Sequence, residues 1–364
     1  MRYICTHCEQ NYADNSLPFG VCECGKPLAV EYSWKQQPFP RKVDENRNDL
    51  WRYGAVLPKF KAEISLGEGW TPLVDLGHNV LVKDETGNPT GSFKDRGMAL
   101  AISRARQVGI KSLCLPSAGN AGVSAAAYAR EAGLSCHVFL PEITPPAYIR
   151  DTEASGAATY VKGSSITEAG VNMQTKKKDH WFDLSTLKEP FRVEGKKTLG
   201  YEIAEQLGWK LPHIIIYPTG GGTGILGMWK AFKEMLDLGW VKEPLPRFVA
   251  VQSDGCAPVV KAFERGRKET EFWKDSRTAA WGLNVPGPLG GYWILQVLKA
   301  SRGLAVAVKE NELDHYTAAF NQRTGLNVSK EGGAVWCAFL DLKLKKWIKK
   351  DDRVIILATG QDRK

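Results

Sequence analysis

The chain has 364 residues, 43% hydrophobic and 24% charged, with a formal net charge of +9. That length allows two domains and a sizeable core, and the composition is that of a soluble globular protein. No apolar run is long enough to span a membrane. The positive charge is concentrated at Lys176-Lys177-Lys178 and at 343–350, runs that read as solvated faces or ends of amphipathic helices. This argues against nucleic acid as a partner, while a modest positive field suits an anionic ligand. Met1-Arg2-Tyr3-Ile4-Cys5 leads straight into a Cys-rich segment without the pattern of a signal peptide, so a cytoplasmic protein is expected.

Residues 1–35 read as a Cys-rich knuckle. Cys5 and Cys8 form Cys-x2-Cys, thirteen residues intervene, and Cys22 and Cys24 form Cys-x-Cys. Four thiolates in two close pairs match a structural tetrahedral zinc site; the alternative is an unmetallated remnant of such a knuckle. Cys114, Cys136, Cys256 and Cys337 stand in apolar contexts and are expected as buried free thiols. The stretch from Gln37 to Tyr53, rich in Pro, Arg and Trp, is too irregular for a strand and is expected to run as a connector over the surface.

From Val80 onward short β-branched runs alternate with helical periodicity. Strands are expected at 80–83, 112–115, 136–140, 159–162, 214–217, 248–252, 305–308 and 354–357. Helices are expected at 121–131, 195–207 and 225–238, between strands. The alternation predicts βαβ units, and apolar runs such as Ile214-Ile215-Ile216 predict strands buried on both faces of parallel sheets. Eight strands exceed one compact unit, so an α/β fold of two parallel sheets facing a cleft is expected, with a closed barrel as the alternative.

Four loops carry chemistry. Asn88-Pro89-Thr90-Gly91-Ser92-Phe93-Lys94-Asp95-Arg96-Gly97 places a lysine between turn-forming residues and an Ala-rich helix. Such a lysine either grips an anion or forms a Schiff base with a carbonyl cofactor; a solvated loop lysine is the plain alternative. Pro116-Ser117-Ala118-Gly119-Asn120-Ala121-Gly122 follows a strand and opens a helix, whose free N–H groups favour a carboxylate or phosphate. Thr219-Gly220-Gly221-Gly222-Thr223-Gly224 does the same; it is neither a Walker loop nor a dinucleotide fingerprint, and it suits a single phosphate monoester. Thr359, after the last strand, offers a hydroxyl to a ring nitrogen, or merely caps the strand. Together they point to pyridoxal phosphate.

These segments resemble the threonine synthase family of the tryptophan-synthase-β-like, or fold type II, pyridoxal-phosphate enzymes. The likeness runs from Leu66-Gly67-Glu68-Gly69-Trp70-Thr71-Pro72-Leu73 through the Lys94 and Asn120 segments. It continues through Arg192-Val193-Glu194-Gly195-Lys196-Lys197-Thr198 and the glycine loop to Thr359-Gly360, and the Cys-rich start also resembles relatives. The resemblance implies two α/β domains flanking a cofactor cleft. These would be a large cofactor-phosphate domain of 36–94 and 190–364, and a small domain of 95–189 carrying the substrate carboxylate loop. It implies Lys94 as the Schiff-base lysine and later acid/base, Phe93 near the ring, and Asn120 on the cofactor's phenolic oxygen. Gly220, Gly221, Gly222, Thr223 and Gly224 would hold the phosphate, and Thr359 would meet the pyridine nitrogen. Ser117, Ala118, Gly119 and Ala121 would take the substrate carboxylate, with Lys188, Arg192 and Lys196 supplying positive charge and Glu331 a place in proton handling.

Two departures stand out. Ser185-Thr186-Leu187-Lys188-Glu189 replaces an Asn-Ser pair, and Thr359-Gly360-Gln361-Asp362 replaces a Gly-His-Gly-Leu-Lys run. The implied reaction eliminates phosphate from O-phosphohomoserine and adds water to give threonine, in a cytoplasmic homodimer that takes a small amino-acid substrate. The alternatives are serine or threonine dehydration or a β-replacement such as cysteate formation on the same scaffold. More remote is a basic zinc-knuckle protein that binds nucleic acid.

Overall fold

A computed structural model describes residues 1–13, 20–33 and 41–363. The chain begins with β1 (Arg2–Cys5), β2 (Asn11–Ala13) and β3 (Leu28–Glu31), a small antiparallel sheet in the order β2-β1-β3. The body then runs through β4 (Leu73–Asp75), β5 (Val80–Asp84), α1 (Lys94–Gln107), β6 (Ser112–Pro116), α2 (Asn120–Glu131) and β7 (Ser135–Leu140). Next come α3 (Pro146–Ala154), β8 (Ala158–Val161), α4 (Ile166–Lys176), β9 (Trp181–Asp183), α5 (Phe191–Gln206) and β10 (Ile214–Pro218). The remainder is α6 (Thr223–Asp237), β11 (Arg247–Ser253), α7 (Pro258–Glu264), α8 (Gly291–Ala300), β12 (Leu304–Val308), α9 (Leu313–Thr324), α10 (Lys330–Leu344) and β13 (Val354–Ala358).

Two parallel sheets result, as the strand–helix alternation predicts; neither is a closed barrel. The six-stranded sheet has the order β12-β11-β10-β13-β5-β4, parallel except for β4, which turns back antiparallel on β5. The four-stranded sheet, β8-β7-β6-β9, is parallel throughout. Every residue of β10 and β13 is buried, because helices cover both faces of this sheet and the Ile/Val runs have nowhere polar to point. All eight expected strands form, within a residue or two of their expected ends. The short β4 and β9 and the three knuckle strands were not foreseen, being three or four residues each with little periodicity to read.

The expected surface connector needs correction. Gln37-Pro38-Phe39-Pro40 lies outside the described residues, but Leu50–Val56 is a 3-10 helix with Leu50, Trp51, Arg52, Tyr53 and Val56 buried. Asp49 caps it by accepting from the Trp51 N–H at 3.0 Å, and Arg52 pairs with Glu205 of α5 at 2.5 Å. Tyr53 packs on Tyr201. Aromatic bulk with no periodicity reads as a loop in one dimension, but burial of those rings drives the segment onto α5. Of the four isolated cysteines, Cys114, Cys136 and Cys256 are buried and Cys337 is half-buried.

Beneath α1 lies a buried charge cluster. Arg96 bonds Glu85 at the end of β5 (2.6 Å) and Glu202 on α5 (2.7 Å), and Lys83 of β5 bonds Glu202 at 2.5 Å, all four side chains fully buried. Thr71 Oγ1 donates to Glu85 at 2.6 Å. Burial alone would raise Glu202, but Arg96 and Lys83 outweigh it and hold its carboxyl at about 2. The cluster ties β5, the start of α1 and α5 into one unit. Among the described residues no helix is long and apolar enough to cross a membrane.

Candidate active site

The carboxyl ends of β5, β6, β10 and β13 open on one cavity, as ligand sites do in parallel sheets. Lys94 is the first residue of α1. The loop before it is pinned from both sides: the Phe93 N–H donates to the Thr359 carbonyl at 3.0 Å, and the Gln361 N–H to the Gly91 carbonyl at 2.9 Å. Asp95, wholly buried, accepts from the Thr90 N–H (2.7 Å) and from Ser124 on α2 (2.6 Å). Lys94 Nζ lies 4.2 Å from the centre of the Phe93 ring and, among the described residues, has no hydrogen bond or ion pair. Burial lowers its pKa to about 8; Arg192 pushes the same way and Glu331 opposes. A lysine so placed is about half neutral amine near pH 8, where an ordinary lysine is almost wholly ammonium. Lys196 stands behind it, donating to the Phe93 carbonyl at 2.6 Å, with its own pKa driven well down by burial and by Lys94 and Arg192.

Two helix N-termini face this amine. At α2 the cap is Gly119, without a side-chain cap; Ser117 Oγ takes the Gly122 N–H at 2.9 Å, and the first-turn N–H groups of Asn120 and Ala121 have no intrahelical partner. At α6 the cap is Gly222, at φ +79, again without a side-chain cap. Gly220 is held so tightly that a Cβ there would lie 2.2 Å from the Gly282 carbonyl oxygen. Only glycine fits this loop, which brings its backbone N–H donors and the positive end of α6 to the cavity wall.

The remaining wall comes from distant segments. Arg192, in the first turn of α5, donates to the Leu184 carbonyl at 2.7 Å and to Thr186 Oγ1 at 3.3 Å. Burial lowers its pKa to about 10, against the pull of Glu189 and Asp183, so it remains a cation. Glu331, at the start of α10, accepts from the Gly282 N–H at 2.5 Å, and Ser329 donates its N–H to the Gly360 carbonyl at 2.9 Å. Asn284 also lines the cavity, and its buried Oδ1 has no partner among the described residues. An orphaned acceptor of this kind is what a ligand-binding wall leaves waiting for a donor.

Phe93, Lys94, Ser117, Ala118, Gly119, Asn120, Ala121, Arg192, Gly220, Gly221, Gly222, Thr223 and Thr359 thus share one cavity. Three expected residues stand apart. Lys196, expected to supply positive charge, lies behind the cavity on the Phe93 and Lys94 carbonyls, with its pKa driven well down by burial. Gly224 packs behind the loop, where a Cβ would lie 2.3 Å from the Tyr217 hydroxyl. Lys188 pairs with Asp183 at 3.2 Å and lines a neighbouring groove with Ser185, Thr167 and Gln174. Sequence reasoning missed Asn284, Tyr148 and Trp281, which come from non-periodic loops or a helix start and reach the cavity only through the tertiary fold.

The four knuckle sulfurs all lie within 4.8 Å of one another, with Cys5–Cys24 and Cys8–Cys22 each at 3.5 Å. That spread fits four thiolates about 2.3 Å from a common centre. The knuckle docks on the body through Tyr32, whose hydroxyl donates to Glu194 at 2.7 Å, and through Tyr3, edge-on to Phe191 at 6.1 Å.

Residues 64–360 match the family described as "Pyridoxal-phosphate dependent enzyme". The chain belongs to that family, and the uncapped glycine cradle, the free buried amine and the orphaned acceptor fit its cofactor. Among curated proteins it is 32% identical over 98% of its length to threonine synthase of Methanocaldococcus jannaschii, covering 91% of that protein. It is 27% identical to threonine synthase of Methanosarcina acetivorans, covering 98% of this chain and 90% of that one. Solved structures with the same fold include L-serine ammonia-lyase of Rhizomucor miehei (TM-score 0.70, 19% identity, 80% of this chain and 94% of that). Maize serine racemase is equally similar (TM-score 0.70, 19% identity, 81% and 88%).

Proposed function

We propose that this chain is a threonine synthase, converting O-phosphohomoserine and water to threonine and phosphate. The observation that carries this reading is the 32% identity spanning 98% of the chain and 91% of a protein of that name. When bound, pyridoxal phosphate supplies the electron sink that lets a proton leave the carbon bearing the substrate amine. Lys94 Nζ, whose pKa of about 8 lets it both lose and regain a proton near that pH, is the group that takes and returns protons there. The loop into α2, with Ser117, Ala118, Gly119 and Ala121, receives the substrate carboxylate, and Gly220, Gly221, Gly222 and Thr223 hold the cofactor phosphate. Arg192, a buried cation without an ion-pair partner among the described residues, grips the substrate phosphate as its oxygen leaves the γ carbon. Phe93 would stand near the ring, Thr359 would meet the pyridine nitrogen, Asn120 would bond the phenolic oxygen, and Glu331 would take a part in proton handling.

Residues 36–94 and 190–364 form the cofactor-phosphate domain in this reading, and 95–189 the smaller one. In support, all strands of the six-stranded sheet fall in the first and all of the four-stranded sheet in the second. The boundary falls at the start of α1, which packs on both α2 and α5. A cytoplasmic homodimer with no nucleic-acid partner completes the proposal.

Incubating the cofactor-loaded protein with O-phosphohomoserine is expected to release phosphate and threonine in equal amounts. Ammonia from serine or threonine, without phosphate chemistry, would replace this reading with the dehydratase one. Gly220→Ala is expected to weaken pyridoxal phosphate binding by roughly tenfold or more, since the methyl has no room beside Gly282; equilibrium titration of the cofactor checks it. The knuckle is read as a structural zinc site on Cys5, Cys8, Cys22 and Cys24. Elemental analysis should find a single zinc per chain, lost in Cys5→Ser/Cys8→Ser together with several degrees of thermal stability. A zinc-free wild type would overturn that part.

A further inference from the structure

Arg363 follows β13, directly after Thr359-Gly360-Gln361-Asp362. Its side chain is 8% exposed and meets three separate segments at the edge of the cavity, which Asn120 lines. Nε donates to Asn120 Oδ1 at 3.1 Å, in the first turn of α2. Nη1 pairs with the Asp151 carboxylate on α3, and Nη2 donates to the Thr90 carbonyl in the loop that carries Lys94. The guanidinium also stands 5.6 Å from the ring centre of Tyr148, another cavity residue. Asp151 is 43% exposed, so that ion pair is screened by water, and the contacts to Asn120 and Thr90 are the ones that order the site.

A guanidinium donates and never accepts. Asn120 must therefore turn its carbonyl oxygen to Arg363, which leaves Nδ2 pointing away from it, against Gly360, where a Cβ would lie 3.0 Å from that nitrogen. Among the described residues Nδ2 has no acceptor, although Asn120 lines the cavity. Either end of an asparagine amide, the acceptor oxygen or the donor N–H2, can face a ligand unless a neighbour fixes which one does.

We propose that Arg363 is a positioning residue: it locks the Asn120 amide with its N–H2 donor toward the cavity and, through Thr90, holds that donor in register with the Lys94 loop. The inference rests on the reading of Asn120 as the partner of the cofactor's phenolic oxygen. A donor of fixed orientation favours the anionic form of that oxygen, so it lowers the pH at which the bound cofactor's visible band titrates.

The test is a pH titration of that band in the cofactor-loaded wild type, Arg363→Gln, Asn120→Ala and the double variant. The midpoint is expected to rise by roughly 0.5–1 unit in Arg363→Gln, by a similar amount in Asn120→Ala, and no further in the double variant. Arg363→Lys, which keeps the charge but cannot span three partners, should also raise it, and it serves in place of Arg363→Gln should that variant fail to fold. An unchanged midpoint with only a lower melting temperature would overturn the proposal, as would shifts that add in the double variant. A wild type that takes up pyridoxal phosphate without any visible band would instead overturn the cofactor reading beneath it.

Discussion

Lys94→Ala is expected to lower the rate of phosphate release from O-phosphohomoserine by roughly 10³-fold or more, the scale on which loss of a reacting amine and its proton transfer acts. The argument is positional. Lys94 is the cavity amine that stands without an ion-pair partner, and its neighbour Lys196 is committed to the Phe93 and Lys94 carbonyls at 2.6 and 3.1 Å. Among the described residues no second cavity amine is therefore free to substitute. A variant that stays folded by circular dichroism yet turns over within tenfold of wild type would remove Lys94 from the mechanism. The depressed pKa adds a second readout. With a value of about 8, the amine is roughly half neutral at pH 8, whereas an ordinary lysine is neutral to well under 1% there. The rate at which cofactor-free protein takes up pyridoxal phosphate should therefore rise with pH and level off above about 8. A rise continuing to pH 10 would show that the amine is not desolvated.

Glu202→Ala is expected to produce the largest loss of stability. It would leave Lys83 and Arg96 sharing only Glu85 in a site with no exposed side chain, and removing one partner of a buried pair costs about 3–5 kcal/mol. Denaturant unfolding checks this, with Asp341→Ala as the contrast. Asp341 pairs with Lys345 at the surface, and that change should cost about 1 kcal/mol or less. The sign of the pH dependence follows. Glu202 is held at about 2 in the folded chain against 4.5 for an ordinary glutamate, so its contribution is fully present above 4.5 and lost as pH falls from there towards 2. Glu202→Gln should lose the corresponding part of the wild type's acid sensitivity. An identical acid profile in the two proteins would show that the pair carries no charge.

Much of the fold was legible because parallel strands buried on both faces leave a strong one-dimensional trace. Ile214-Ile215-Ile216 and Val354-Ile355-Ile356 read as strands from composition alone, and the helices between them carry clear periodicity. The Trp51–Tyr53 segment was misread for the opposite reason. Its irregular polar and aromatic mixture has no period, and only the surface of α5 decides that Tyr53 and Trp51 are buried. The site divides along the same line. Lys94, Asn120 and the glycine loop stand at strand–helix junctions, where turn chemistry and an uncapped N-terminus can be read locally. Asn284 and Tyr148, which line the cavity, and Arg363, which bonds Asn120 beside it, have no local signal, since their neighbours in sequence say nothing of where they end up.

By itself the sequence determined the order of strands and helices, the loops that end on anion-receptive helix starts, and the one lysine set among them. Each is a property of a few consecutive residues: backbone propensity, the N–H groups a helix start leaves free, the freedom that glycine allows. The tertiary structure alone decided the lowered pKa of Lys94, which requires Arg192 and the burial supplied by other segments. It alone placed Lys188 beside Asp183 and outside the cavity, and Arg363 against Asn120. Desolvation and the direction of a long side chain depend on what packs around them, and those neighbours lie up to 273 residues away along the chain.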